Sequence, residues 1–184
     1  MMRRCGALFF VFALPVIGAA QQPQAPVLRA PDVIFVATQD PVAEAMLKLA
    51  SVTKDDVVYD LGSGDGKIVI TAAQRFGARG VGIDINPQRI EEANRNAETA
   101  GVSDRVTFIL GDIFDPAIPI SDATVVTLYL LPTLNQKLMP RLKQELAPGT
   151  RVVSNSFDMG PTWPAERTEQ VGTYWIYMWT IPER

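Results

Sequence analysis

Residues 57–67 read Val57-Val58-Tyr59-Asp60-Leu61-Gly62-Ser63-Gly64-Asp65-Gly66-Lys67. A short apolar, β-branched run ends in an acid and passes into glycines at alternate positions. Residues 67–76 then carry helical periodicity, closed by Gly77. Strand, glycine turn and helix in that order open an α/β sheet, in which ligands bind beyond the carboxyl ends of the strands. Gly62 and Gly64, lacking Cβ atoms, allow a tight turn and close approach of backbone to a ligand. The first turn of the following helix offers N–H groups that no helical carbonyl satisfies.

The spacing discriminates between ligands. A dinucleotide loop reads G-x-G-x-x-G, whereas this one reads G-x-G-x-G and follows Asp60. A pyrophosphate is repelled by that carboxylate. A cationic ligand such as S-adenosyl-L-methionine (SAM), with an ammonium group at its methionine end, is attracted by it. Two further acids end the next strands. Asp84 follows Val81-Gly82-Ile83, where a carboxylate accepts two ribose hydroxyls, and Asp112 follows Ile109-Leu110-Gly111, where it accepts from an adenine amino group while Ile113 packs on the ring. Each acid alone reads as a turn residue. Three on consecutive strands, with the glycine loop on the first, single out SAM. The expected cofactor contacts are Asp60, Gly62, Ser63, Gly64, Gly66, Asp84, Ile85, Asp112 and Ile113.

Outward from the motif, helices are expected over 41–51, 87–100 and 133–146, with Pro41 at a first helical position after Asp40 and Asn86 as an N-cap. Strands are expected over 80–85, 105–110, 123–128 and 150–155. Segments 167–171 and 173–181 flank Gly172 with no room for a helix, so they form a hairpin. Strands alternating with helices, apolar nearly throughout, indicate a Rossmann-like, doubly wound α/β domain over 32–184. Its mostly parallel sheet has seven strands and ends in a C-terminal antiparallel hairpin. Trp175, Tyr177 and Trp179 share one face of the last strand. They pack against a helix or, in the minority reading, form a substrate platform. Asp158 reads as a turn cap or as a group facing a cationic substrate.

The chain has 184 residues, 47% of them hydrophobic and 20% charged, with a net charge of -3. Overall attraction to nucleic acid is therefore not expected. There is no histidine, which excludes histidine acid–base chemistry and the commonest metal ligand, and no metal site is expected. The single cysteine, Cys5, lies in a stretch that reads as an export signal over 1–20. There Arg3 and Arg4 precede an apolar run, which ends in Gly18-Ala19-Ala20. Residues 21–31, rich in Pro, Gln and Ala, read as a disordered linker. The mature protein is then expected outside the cytoplasm without a stable membrane span, or held at the membrane if the leader is retained.

The segment Asp60 to Gly66, with Asp84 and Asp112, resembles the cofactor motifs of the seven-strand class I SAM-dependent methyltransferases. The resemblance implies the sheet order 3-2-1-4-5-7-6 with the last strand antiparallel. Three strings, DLGSGDGKIVI (60–70), TLYLLPTL (127–134) and PGTRVVSNSFDMG (148–160), further resemble small protein-lysine methyltransferases. That group includes the ATP synthase c-subunit lysine methyltransferases and broad-specificity archaeal enzymes. It implies a lysine-bearing protein as acceptor, with a small molecule or lipid, or a non-catalytic SAM-fold role, as alternatives. By the same resemblance, Phe35 and Thr38 close over the methionine end of SAM. Tyr129, Leu130 and Pro132 are then the candidate catalytic residues. Asn135 is an assistant there or an ordinary surface residue of its helix. The chain departs from the pattern at Ile34, Ala37 and Gln39, where prolines are usual, and at Asn155-Ser156, which replace a His-Asp pair.

Overall fold

The computed structural model describes residues 28–31 and 34–183. The expected leader and residues 21–27 of the linker lie outside the described residues. The elements, in chain order, are α1 (Asp40–Leu49), β1 (Val57–Leu61), α2 (Lys67–Phe76), β2 (Arg79–Asp84), α3 (Pro87–Ala100), β3 (Val106–Leu110), β4 (Val125–Leu128), α4 (Pro132–Glu145), β5 (Arg151–Asn155), β6 (Arg167–Val171) and β7 (Tyr174–Thr180).

The strands form one seven-stranded sheet in the order β3-β2-β1-β4-β5-β7-β6. The first five of these are mutually parallel, while β7 runs antiparallel to both β5 and β6. The chain builds outward from β1 in one direction and from β4 in the other. The crevice between β1 and β4 is thus the switch point at which such sheets bind ligands. Every residue of β1 is buried, as a central strand covered on both faces requires. Val58 joins a core with α1, α2 and α3, whereas Val57, Tyr59 and Leu61 join a second core with Leu138 and Leu142 of α4.

Local chemistry sets the ends of the elements. Asn86 caps α3 by accepting from the Gln88 N–H at 2.9 Å. The cap of α1 is Gln39, without a side-chain bond, and Asp40 is the first helical residue. Instead of capping, the Asp40 carboxylate pairs with Lys67 Nζ at 2.7 Å and ties α1 to the start of α2. Thr124, expected inside a strand, is a corner residue. Its hydroxyl accepts from the Val57 N–H at 2.9 Å and donates to Asp56 at 2.7 Å, so β4 begins one residue later.

The terminal aromatics serve the core. Trp179 is fully buried, donates from Nε1 to the Trp163 carbonyl at 2.8 Å and lies 5.8 Å from the Trp163 ring. Tyr177 stacks on it at 6.2 Å, while Trp175 remains 45% exposed. Among the described residues, no helix is long and apolar enough to cross a membrane.

Gly66, expected as a cofactor contact, does not line the crevice and is enclosed by packing. It has φ +81°, and a Cβ there would lie 2.6 Å from Phe108 Cζ and 3.1 Å from Ala93 Cβ. It lets α2 leave the loop against β3 and α3. Gly66→Ala is expected to destabilise the fold by about 2 kcal/mol, combining left-handed backbone strain with overpacking. A fall in the denaturation midpoint at an unchanged slope is the measurement that shows it.

Candidate active site

The site lies in the crevice beyond the carboxyl ends of β1, β2 and β4. Its wall includes Asp60, Gly62 and Ser63 from the glycine loop, Asp84 and Ile85 after β2, and Asp112 and Ile113 after β3. Tyr129, Leu130 and Leu134 wall the other side, and Phe35 and Thr38 come from the lead-in to α1. The atom-free space, counted to its open mouth, is about 920 Å³.

Asp60 is the electrostatic centre. It is 4% exposed, and the Thr127 hydroxyl donates to its Oδ1 at 2.8 Å. Burial raises its pKa to about 7; the Thr127 bond opposes the shift, and the charges of Asp84 and Asp65 add to it. The loop above it is held to β2 by donation from the N–H groups of Gly62 and Ser63 to the Ile83 carbonyl, at 2.8 and 3.0 Å. Asp84 fixes the other side of the loop. Its Oδ2 accepts from the Gly64 N–H and its Oδ1 from the Asn86 N–H, both at 2.8 Å. Ser63 Oγ is buried with no hydrogen-bond partner.

Gly64 is outside the wall for a steric reason. A Cβ on it would lie 2.2 Å from Phe35 Cε2, so the lead-in ring rests directly on the loop backbone. Arg89 covers that ring from the far side, 4.7 Å from its centroid. Pro132 is also outside the wall. It opens α4, where the missing N–H costs nothing, and so determines where the segment 129–131 ends.

Asp112 departs most from expectation. Both its oxygens are engaged by Arg29, with Nε at 2.6 Å and Nη2 at 3.0 Å, and Oδ1 also accepts from the Phe114 N–H at 2.9 Å. The Arg29 bond holds its carboxyl below the usual carboxylate range. Arg29 belongs to a stretch that reads as linker, with no periodicity to mark it, and sequence reasoning missed it. Asn135 is buried, contrary to the surface alternative, and Asp158 accepts from the Gly160 N–H at 3.0 Å as a turn cap does.

A buried acid acted on by like charges, beneath bare backbone and beside an unsatisfied hydroxyl, fits a cationic cofactor. The comparisons agree. Residues 60–167 match the model of the ANTKMT methyltransferase domain. The chain belongs to that family. It is similar to a protein-lysine N-methyltransferase of Saccharolobus islandicus, at 48% identity over 70% of this chain and 80% of that protein. It also resembles the mouse adenine nucleotide translocase lysine N-methyltransferase, at 35% identity over 65% of this chain and 53% of that enzyme. Among solved structures, a Salinibacter ruber RNA methyltransferase in complex with S-adenosyl-L-homocysteine is 56% identical, with a TM-score of 0.78 over 81% of this chain and 95% of that one.

This member of the ANTKMT domain family is therefore a SAM-dependent methyltransferase with a seven-strand Rossmann-like sheet. Its Asp60 has a thermodynamic signature. The folded pKa stands above the ordinary carboxyl value, so its contribution to stability is complete below about pH 4 and is lost as pH rises to about 7. Asp60→Asn is expected to stabilise the cofactor-free protein by roughly 3 kcal/mol at pH 8 and hardly at all near pH 4. Denaturant titrations at the two pH values measure the difference.

Proposed function

We propose that this methyltransferase acts on the side-chain amine of a lysine in a protein. The observation that carries the reading is the 48% identity to an archaeal protein-lysine N-methyltransferase across 80% of that protein's length. In this reading Asp60 receives the methionine ammonium group of SAM. Asp84 keeps its backbone bonds and accepts the ribose hydroxyls with its remaining lone pairs. Asp112 meets the adenine amino group beside Arg29, and Ile85 and Ile113 flank the ring. Phe35 and Thr38 cover the methionine end.

SAM supplies a methyl group on a positively charged sulfur, ready for in-line displacement. The protein's part is to bring a neutral amine in line with that carbon. A lysine amine has a reference pKa of about 10.4, and neutralising it at pH 7 costs roughly 4–5 kcal/mol. The apolar surroundings of Leu130 and Leu134 lower that cost by disfavouring the ammonium form. Tyr129 orients the amine with its ring and hydroxyl. The chain contains no histidine, so the proton leaves to water rather than to an imidazole base. The proposal includes export directed by residues 1–20.

A second reading, RNA as acceptor, is favoured by the description of the Salinibacter ruber protein. The net charge of -3 weighs against it, since phosphate backbones are held by surplus cations. Incubating the protein and tritiated SAM with a cell-envelope extract separates the acceptors. The expected label is protease-sensitive and recovered as methyl-lysine after hydrolysis. Nuclease-sensitive label establishes the RNA reading, and label in the organic phase establishes a lipid acceptor.

Cofactor affinity offers two further checks. Asp84→Ala is expected to weaken SAM binding by about 2–3 kcal/mol, because the hydroxyls lose a charged partner and Gly64 loses its tether. In the unaltered protein, binding of a cation favours ionised Asp60. Affinity therefore rises by up to about tenfold per pH unit below pH 7 and levels off near it. Calorimetric titrations from about pH 5 to about pH 7 test this, and Asp60→Asn flattens the profile.

A further inference from the structure

Asn135 lies in α4 and is fully buried. Its amide nitrogen is within hydrogen-bond reach of the Phe157 carbonyl at 3.1 Å, the Asp158 carbonyl at 3.3 Å and Ser154 Oγ at 3.3 Å. Its amide oxygen is buried with no partner. The side chain cannot be turned over, because the oxygen would then face two carbonyl oxygens. An apolar side chain of the same size would remove the unsatisfied oxygen but would also take the donor from the Phe157 and Asp158 carbonyls, so the residue's worth lies in those bonds.

The bonds act on the segment that leaves β5. Ser156 has φ +65°, which turns the chain out of the strand, and its N–H donates to the Trp175 carbonyl at 2.7 Å. The Phe157 N–H donates to the Asn155 carbonyl at 2.8 Å. Asn135 thus closes the one side of this turn that the sheet does not hold. The product of the clamp is a pair of aromatic rings. Phe157 stacks on Tyr129, with centroids 6.4 Å apart and planes 28° apart. Both rings are half-buried, and Tyr129 lines the pocket.

We propose that Asn135 is a positioning residue for methyl transfer: it fixes Phe157 against Tyr129, and the two rings form the wall that receives the acceptor amine. This rests on the amine acceptor proposed above. Aromatic faces attract alkylammonium groups, so such a wall suits the lysine as it arrives protonated and its methylated products as they leave, while the apolar neighbours favour loss of the proton in between. Asn135 itself touches neither cofactor nor acceptor and acts through Phe157.

The test uses the full chain with tritiated SAM, poly-L-lysine as the acceptor, and S-adenosyl-L-homocysteine as the binding probe. Asn135→Leu is expected to lower kcat about tenfold and leave the S-adenosyl-L-homocysteine Kd within about twofold. Hydrogen exchange over residues 155–160 should accelerate about tenfold, with the strands unchanged. Phe157→Leu should show the same loss of kcat, Phe157→Tyr should restore it, and the double variant Asn135→Leu/Phe157→Leu should lose no more than either alone. Wild-type kcat in Asn135→Leu, unchanged exchange over 155–160, or losses that add in full in the double variant would each overturn the role of Asn135. If Asn135→Leu does not fold, Phe157→Leu decides: an undiminished kcat overturns the aromatic wall. A wild-type protein that leaves poly-L-lysine unlabelled at saturating SAM overturns the amine acceptor itself, a failure distinct from all of these.

Discussion

Burying a carboxylate where the neighbouring charges are also negative is costly, and the molecule is arranged around that cost. Asp60 lies at the end of the central strand, opposite Gly82 on one side and Thr127 on the other. Burial raises its pKa to about 7; the Thr127 hydroxyl bond opposes the shift, and the charges of Asp84 at the end of β2 and Asp65 in the glycine loop add to it. A folded protein holding an acid in this condition is incomplete without a cation. The glycine loop, the second acid and the covering lead-in gain their meaning from that incompleteness. The loop leaves room, Asp84 ties the loop to β2, and Phe35 closes on the backbone where no side chain intervenes.

In the proposed reading, the far half of the sheet serves the acceptor. Inserting β7 antiparallel between β5 and β6 lets the chain cross back over α4, carrying Met159 and Trp163 into the core and stacking Phe157 on Tyr129. The cofactor half is thus built from the first three strands, and the acceptor half from β4, α4 and the turn after β5. The two meet at Tyr129 and Leu130, where β4 has just ended.

Much of this was legible in the sequence because the relevant signals are local. Both ends of α2, the Asn86 cap of α3 and the hairpin around Gly172 follow from residues adjacent in the chain. The acids at the strand ends were readable for the same reason: a strand's end and its next residue define a position on the rim. What escaped depended on distant partners. Gly66 has the spacing of a ligand contact, and only the fold shows Phe108 packed so closely against it that no Cβ fits. Asn135 is a polar residue in a polar helix, and nothing nearby announces the carbonyls of Phe157 and Asp158 that draw it inward. Arg29 sits in a stretch without pattern and finds its carboxylate 83 residues away.

The clasp between Arg29 and Asp112 makes the approach to α1 part of the cofactor pocket rather than a tether in front of it. Pro31, Ile34, Phe35 and Thr38 stand in the same wall. A fragment trimmed to begin at α1 would retain the whole sheet and yet present a cofactor cleft missing one side.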